Sequence, residues 1–166
     1  MPLEGRRFLH RSSRRYDVII LDTFSGDSSP SHLMTREAFG DARERLKPDG
    51  VLVINTFGDP RPGLDFLAGS LRRTLAAVFR SVRVHSIGTG NMFFVASDGD
   101  LARRRDPDLA AVPAICSEDV SLALASEIDL ASASGTVLTD THNPVEVHDA
   151  KVREALRRHF AARMRP

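Results

Sequence analysis

Short apolar runs alternate with amphipathic stretches in the N-terminal part of the chain. Residues 17–22, Asp-Val-Ile-Ile-Leu-Asp, form a continuous apolar run between two acids. This pattern is typical of a strand buried on both faces of a parallel sheet. Apolar residues spaced as on one face of a helix follow, and Lys-Pro-Asp-Gly at 47–50 ends that predicted helix and turns the chain. The helix face comprises Met34, Ala38, Ala42 and Leu46, with Phe39 beside them.

A second strand and helix repeat this order. Residues 51–55, Val-Leu-Val-Ile-Asn, have the length and composition of a buried strand. Residues 82–85 and 92–96 predict two further strands around the turn Gly-Thr-Gly-Asn at 88–91, as in an antiparallel hairpin. Strands alternating with helices before a hairpin predict an α/β sheet whose last strand is antiparallel. The second amphipathic helix is marked by Leu64, Leu67, Leu71, Leu75 and Val78.

The character of the sequence changes after residue 100. Three arginines at 103–105 and an Asp-Pro step form a charged break, and residues 109–138 are rich in Ala and Ser with weak periodicity. Residues 139–148 predict a polar loop, and apolar residues spaced four apart predict a terminal helix over 152–164. We therefore expect residues 1–100 to form an α/β unit and residues 101–166 to form a mostly helical appendage of the same domain.

Charge and composition exclude several classes of function. The chain has 166 residues, with 23 basic and 22 acidic side chains and a formal charge of +1, so no strong field favours nucleic acid or an anionic membrane. No apolar run reaches the roughly 20 residues that span a bilayer. A single cysteine, Cys116, is compatible with a reducing compartment. We expect a cytoplasmic protein without a membrane span and without a nucleic-acid partner.

Several segments, taken in order, resemble the second half of class I methyltransferase-like folds that bind S-adenosylmethionine. They are Tyr-Asp-Val-Ile-Ile-Leu-Asp at 16–22, Leu-Lys-Pro-Asp-Gly at 46–50, the run at 51–55, and Gly-Asn-Met-Phe-Phe-Val-Ala-Ser at 90–97. Residues 22–33 and the later Leu-Thr-Asp-Thr-His-Asn-Pro-Val-Glu at 138–146 are similar to the spermidine synthase-like polyamine aminopropyltransferases. The resemblance implies a partial Rossmann-like sheet with an antiparallel terminal hairpin, corresponding to the C-terminal half of that family.

The resemblance implies transfer of an aminopropyl group from decarboxylated S-adenosylmethionine to an amine such as putrescine. It requires no further cofactor and no metal. An alkylamine has a pKa of about 10 and is protonated at neutral pH, so a carboxylate must hold it and accept its proton. Asp22 is the candidate catalytic residue because it follows a parallel strand, where α/β sheets place their ligand crevice. The alternative is that Asp22 only caps the turn that follows it.

Three further residues are candidates for binding. Asp27 is a second carboxylate for a diamine, although the family places its second acid three residues after the first, where this chain has Ser25. His32 borders the predicted cleft. Glu4, in Glu-Gly-Arg, resembles the acidic residue that the family places near adenine. The alternatives are a solvated loop residue for Asp27, a structural role for His32 and a frayed terminus for Glu4.

The family's Gly-rich turn and its acid for the ribose are absent from this sequence. Without that half, the strand at 17–22 becomes an open sheet edge, which invites pairing with another chain. We therefore expect a homodimer or a partner chain covering the edge. Two other functions stay open: a non-catalytic truncated remnant or assembly module, and a methyltransferase-like enzyme that uses S-adenosylmethionine.

A cluster of metal-compatible side chains occurs near the C-terminal end. Such residues suit a divalent ion but also populate solvated loops. We expect no metal site here. The side chains are those of Asp140, His142, Glu146 and His148.

Overall fold

The computed structural model describes residues 5–22, 30–86, 90–101, 109–148, 150, 154 and 158. Helices and strands alternate through the first two thirds of these residues, as the apolar periodicity predicts. The elements are α1 (Gly5–Arg11), β1 (Tyr16–Leu21), α2 (Arg36–Glu44), β2 (Leu46–Gly58), α3 (Phe66–Ala76), β3 (Ser81–Ser86), β4 (Gly90–Ser97) and α4 (Ala114–Ala125). Short 3-10 helices occupy Ser31–Leu33 and Leu109–Ala111.

The four strands form one sheet in the order β1-β2-β4-β3. β1 pairs with β2 in parallel, whereas β4 is antiparallel to both β2 and β3. The α/β class and the antiparallel hairpin are therefore confirmed, although residues 87–89 of the hairpin turn lie outside the described residues. β1 has β2 as its only strand neighbour among the described residues, so it forms an edge of this sheet.

The second strand begins earlier than its apolar run predicts. α2 ends at Glu44, and Leu46 pairs with Tyr16 of β1 across an irregularity in the register. Leu46 is 4% exposed, so this apolar residue is buried as part of the sheet and does not belong to the helix face. The prediction that Leu46 continues the helix, and that residues 47–50 form a separate turn, is therefore wrong.

All three N-terminal helices pack with one face of the sheet. Leu52 and Ile54 of β2 and Phe94 of β4 are fully buried there, in a core completed by side chains of α1, α2 and α3. On the opposite face, Val18 is 50% exposed and Ile20 is 65% exposed. The prediction that β1 is buried on both faces is wrong, because α1–α3 cover only one of them.

The Ala/Ser-rich stretch divides into a helix and an extended segment. α4 has no buried residue, whereas residues 133–138 lie along α3 and exchange hydrogen bonds with it. The amides of Thr136 and Leu138 donate to Ser70 Oγ and Thr74 Oγ1 at 3.1 and 2.9 Å. This stretch thus comprises helix α4 and the extended segment that follows it. Most of the predicted terminal helix falls outside the described residues. Among the described residues, no helix is both long enough and apolar enough to cross a membrane.

Asp65 anchors the same extended segment at the start of α3. Its buried carboxylate accepts hydrogen bonds from Ser134 N at 3.0 Å and Ser134 Oγ at 2.7 Å. Burial raises the pKa of Asp65, but these bonds and those from nearby backbone amides outweigh burial and hold the pKa below its ordinary value.

A lowered pKa makes this contribution to stability depend on pH. The ionised Asp65 stabilises the fold above its unfolded pKa of about 3.9, and that stabilisation is lost as the pH falls through the lower folded pKa. We expect the free energy of unfolding of Asp65→Asn to fall less than that of the wild type on acidification through this range. Urea titrations at a series of pH values measure it, and equal pH slopes for the two proteins would contradict the assignment.

Candidate functional site

Asp22 lies directly after β1, at the carboxyl end of the strand. The register pairs Leu21 with Ile54, so Asp22 comes beside Asn55 of β2. Asn55 Nδ2 donates a hydrogen bond to Asp22 Oδ1 at 3.0 Å. Asp22 is exposed, and no other described residue bonds to its carboxylate. Within the described residues, one amide therefore orients the side chain and leaves the other carboxylate oxygen unbonded.

Asn55 is a site residue that the sequence patterns do not single out. It is half-buried, and its Oδ1 atom is buried without a hydrogen-bond partner among the described residues. A buried amide oxygen without a partner is unfavourable by about 1–3 kcal/mol, so Asn55 is retained here at a cost in stability. The only signal in the sequence is a polar residue inside an apolar strand, and its meaning depends on the pairing of β1 with β2.

Of the other predicted binding residues, only His32 lies among the described residues. Glu4 and Asp27 lie outside the described residues, so their roles stay predictions. His32 is exposed in the short helix Ser31–Leu33. It lies near Asp140, whose pKa is held below its ordinary value mainly by a hydrogen bond from Arg6, then by one from Thr35 and by weaker charge effects that include His32.

Arg6 and Asp140 join three parts of the fold. The Arg6 guanidinium donates two hydrogen bonds to Asp140, both at 2.9 Å, and one to Asp41 at 2.8 Å. Thr35, which caps α2, also donates to Asp140 at 2.7 Å. The pKa of Arg6 is consequently raised. This network fixes α1, the start of α2 and the segment 139–148 together, so the Asp140 segment has a structural role here.

The metal-compatible side chains of this segment make separate contacts. Asp140 is bonded to Arg6, Glu146 accepts a hydrogen bond from Ser31 Oγ at 3.1 Å, and His148 stacks on Phe66 with ring centroids 3.8 Å apart. Within the described part of the chain, no group of three or more His, Cys, Asp or Glu side chains is placed to hold a metal ion.

An apolar cavity of about 270 Å³ lies along the open edge of the sheet. α1, β1 and the start of α2 line it, through residues that include Phe8, Leu9, Val18, Ile20 and Ala42. Asp22 is not among the lining residues. The cavity therefore offers apolar contact beside the carboxylate site and carries no acid of its own.

The solved structures that share this arrangement belong to the class I methyltransferase-like fold. A probable spermidine synthase from Corynebacterium glutamicum superposes with a TM-score of 0.53 at 24% identity, over 65% of this chain and 40% of that one. At this identity the similarity establishes the fold alone. It confirms the Rossmann-like class predicted from the sequence.

No family model matches the chain, but curated proteins are similar to parts of it. A polyamine aminopropyltransferase of Vibrio vulnificus is 50% identical over 57 residues, which are 32% of this chain and 19% of the relative. An N-terminal histidine N-methyltransferase of Emericella nidulans is 32% identical over 87 residues, 49% of this chain and 15% of the relative. Parts of the chain are thus similar to a polyamine aminopropyltransferase and to a methyltransferase, and the chain spans less than a fifth of the length of these two relatives.

Proposed function

We propose that this chain carries the amine site of a spermidine synthase-like aminopropyltransferase, with Asp22 as its catalytic carboxylate. The observation that supports the proposal is the hydrogen bond of Asp22 with Asn55 at the carboxyl end of β1, where its parallel pairing with β2 ends. Decarboxylated S-adenosylmethionine is the aminopropyl donor, and a polyamine such as putrescine is the acceptor. Similarity to the Vibrio vulnificus aminopropyltransferase adds to this support.

The carboxylate at this site suits a protonated amine. An ammonium group has three N–H donors, and the exposed Asp22 carboxylate accepts one of them. The negative charge of Asp22 compensates the cation, whereas a neutral nucleophile gains less from it. Asn55 keeps Asp22 in one orientation through the 3.0 Å hydrogen bond.

The reaction needs one proton transfer and one displacement. Asp22 accepts a proton from the bound ammonium, which frees the nitrogen lone pair. That lone pair attacks the aminopropyl carbon bonded to sulfur as the carbon–sulfur bond breaks. The bonding electrons go to sulfur, so the sulfonium becomes the neutral thioether of methylthioadenosine. The new secondary amine is released as a cation, and Asp22 returns its proton to solvent.

Isothermal calorimetry tests whether the chain binds the donor. We expect measurable heat with decarboxylated S-adenosylmethionine and with methylthioadenosine, since both carry the nucleoside of the reaction. Absence of heat with either compound at millimolar concentration contradicts catalysis by this chain and favours the non-catalytic remnant or assembly module. Asp22→Asn is the control for the donor site. Because Asp22 is assigned to the amine, a folded Asp22→Asn variant is expected to bind both compounds as the wild type does.

Methyl transfer from S-adenosylmethionine is the second candidate function. It is favoured by the 32% identity over 87 residues to the Emericella nidulans methyltransferase. The two donors distinguish the two candidate functions, because S-adenosylmethionine has a carboxylate that decarboxylated S-adenosylmethionine lacks. Product analysis after incubation with each donor distinguishes a transferred methyl group from a transferred aminopropyl group.

The open edge at β1 bears on the partners of the protein. Val18 and Ile20 are 50% and 65% exposed on a strand that has one neighbour among the described residues. Exposed apolar edges favour association with another chain. A second copy or a partner chain over this part of the sheet therefore accompanies the proposed function.

A further inference from the structure

One row of side chains crosses the sheet from the Asp22 carboxylate to β3. The row lies on the sheet face opposite α1–α3, where Ile20, two residues before Asp22, is 65% exposed. Asn55 of β2 donates its hydrogen bond to Asp22 from this face. The register then pairs Asn55 with Phe93 of β4, and Phe93 with His85 of β3. A molecule bound at Asp22 can therefore extend over Asn55 to Phe93.

The row leads to a cavity of about 450 Å³ between helix α4 and the sheet, which we call the α4 cavity. Phe93 and His85 line it from the sheet, and Leu122 and Leu124 line it from the helix. Sites for small molecules have volumes of this order and walls that are mostly apolar, with a few polar groups. Because Phe93 is both a wall of the cavity and the register partner of Asn55, the cavity adjoins the proposed amine site.

Polar bonds hold α4 on the sheet while its apolar side chains stay exposed. Ser86 N donates to Ser126 O at 2.9 Å, and His85 Nδ1 lies 3.1 Å from a carbonyl oxygen of α4. Leu122 nevertheless remains 54% exposed and Phe93 41% exposed. Apolar surfaces that face each other across a gap lose the dispersion attraction of direct contact. An apolar group in the α4 cavity restores that contact on both sides.

The spacing of the strands gives the distance from Asp22 to the cavity. β1 and β4 are separated by β2, and neighbouring strands lie about 4.8 Å apart, so Phe93 is roughly 10 Å from the position of Asp22. With C–C bonds of about 1.5 Å, an extended aliphatic chain of about eight carbons covers this distance. A chain of about half that length ends over Asn55 and does not reach the cavity.

The charges along this path distinguish an apolar tail from a second ammonium group. Between Asp22 and the cavity the row consists of Asn55 and Phe93, and neither side chain is charged. Asp119 also lines the cavity, but it is exposed on α4, where solvent screens its carboxylate. Removing an ammonium group from water against Phe and Leu side chains is unfavourable without a paired acid. The path therefore suits an uncharged tail.

We infer that the amine acceptor is a primary amine with an uncharged apolar tail, and that the end of this tail occupies the α4 cavity. The inference rests on the proposed function, because it extends the same amine site. The amine binds Asp22, and the tail crosses Asn55 and Phe93. Leu122 and Leu124 then determine specificity, since they contact the tail and not the reacting nitrogen. A short diamine such as putrescine occupies the amine site alone and is a weaker acceptor.

Calorimetric titration of the intact chain with butylamine and octylamine tests the inference without the aminopropyl donor. Each compound has one ammonium group, and the two differ only in chain length. We expect octylamine to bind roughly tenfold to a hundredfold more tightly, because its additional methylene groups leave water for the cavity. Equal affinities for the two amines overturn the inference, as does an absence of octylamine binding.

Leu122→Asn removes an apolar wall of the cavity without adding charge. It is expected to weaken octylamine binding roughly tenfold and to leave butylamine binding unchanged. Ile115→Asn is the matched control, because Ile115 is 90% exposed on the same helix and does not line the cavity. It leaves the affinity for both amines unchanged. Circular dichroism checks that both variants are folded. Octylamine binding that Leu122→Asn does not weaken overturns the inference.

The diamine of the same chain length as octylamine tests the alternative of a second cation site. It is expected to bind less tightly than octylamine, and tighter binding of the diamine overturns the apolar tail.

Asp22→Asn separates this inference from the proposed function, since it is expected to weaken the binding of both monoamines. Butylamine binding that is independent of Asp22 contradicts the proposed amine site. If both monoamines depend on Asp22 but bind equally tightly, only the assignment of the tail is overturned.

Discussion

Replacing Gly69 with alanine is expected to destabilise the fold by about 3 kcal/mol or more, at the upper end of overpacking effects. Gly69 lies in α3 where the extended segment 133–138 crosses the helix. A Cβ atom at this position would lie 1.9 Å from Ser134 O and 3.0 Å from Ala133 Cβ. The nearest obstacle is a backbone oxygen, so the two segments must separate to admit a methyl group. Separation also strains the hydrogen bonds of Asp65 to Ser134.

Gly40→Ala in α2 is the matched control for this prediction. A Cβ atom at Gly40 meets nothing within 4 Å. Alanine is favoured over glycine in a helix by roughly 0.5–1 kcal/mol, so the control is expected to be neutral or stabilising. Urea denaturation measures the free energy of unfolding of both variants. Similar values for the two would show that α3 and the 133–138 segment are not in close contact.

Asp22→Asn is expected to lower the rate of aminopropyl transfer about 10²–10⁴-fold, the range typical for loss of a general base. Asparagine preserves the size of the side chain and its contact with Asn55, but its neutral amide neither accepts the amine proton nor compensates the charge of the ammonium. The loss should appear in kcat as well as in KM for the amine, because Asp22 acts in both binding and proton transfer. The release of methylthioadenosine measures the rate.

Asp119→Asn is a suitable control for the loss of one carboxylate. Asp119 is exposed on α4, at the far side of the sheet from β1. This variant is expected to keep the wild-type rate, which separates the role of Asp22 from a general effect of net charge. If Asp22→Asn transfers the aminopropyl group at the wild-type rate, Asp22 is not catalytic and only caps the turn that follows it.

Local patterns in the sequence are sufficient to predict most of the sheet. The apolar runs at 17–22 and 51–55 correspond to β1 and β2, and the Leu spacing through Leu67, Leu71 and Leu75 corresponds to α3. These features depend on residues near one another in the chain. The position of Asp22 at the end of a strand follows from the same pattern.

Features that depend on pairing between distant segments are not visible in the sequence. The bond between Asn55 and Asp22 requires the register of β1 against β2. Leu46 has helical spacing but lies in β2, because pairing with Tyr16 outweighs the helical preference. The contact of Gly69 with Ser134 joins residues far apart in sequence, within a segment whose Ala/Ser composition carries almost no periodic signal.

The exposure of one face of β1 also depends on segments that are distant in the sequence. A continuous apolar run predicts burial on both faces, but burial depends on which elements are present to cover it. Here α1–α3 share one side, so Val18 and Ile20 stay exposed on the other. An apolar composition thus shows that a strand is suited to burial. Whether the strand is buried depends on the elements that pack on the sheet.

Incubation of the wild-type chain with decarboxylated S-adenosylmethionine and putrescine measures the proposed activity most directly. Mass spectrometry of the products is expected to show methylthioadenosine and aminopropylated putrescine in equal amounts, since each displacement forms one of each. Formation of neither product contradicts aminopropyl transfer by this chain. Methylated acceptor formed only from S-adenosylmethionine contradicts it as well, and assigns the site to methyl transfer.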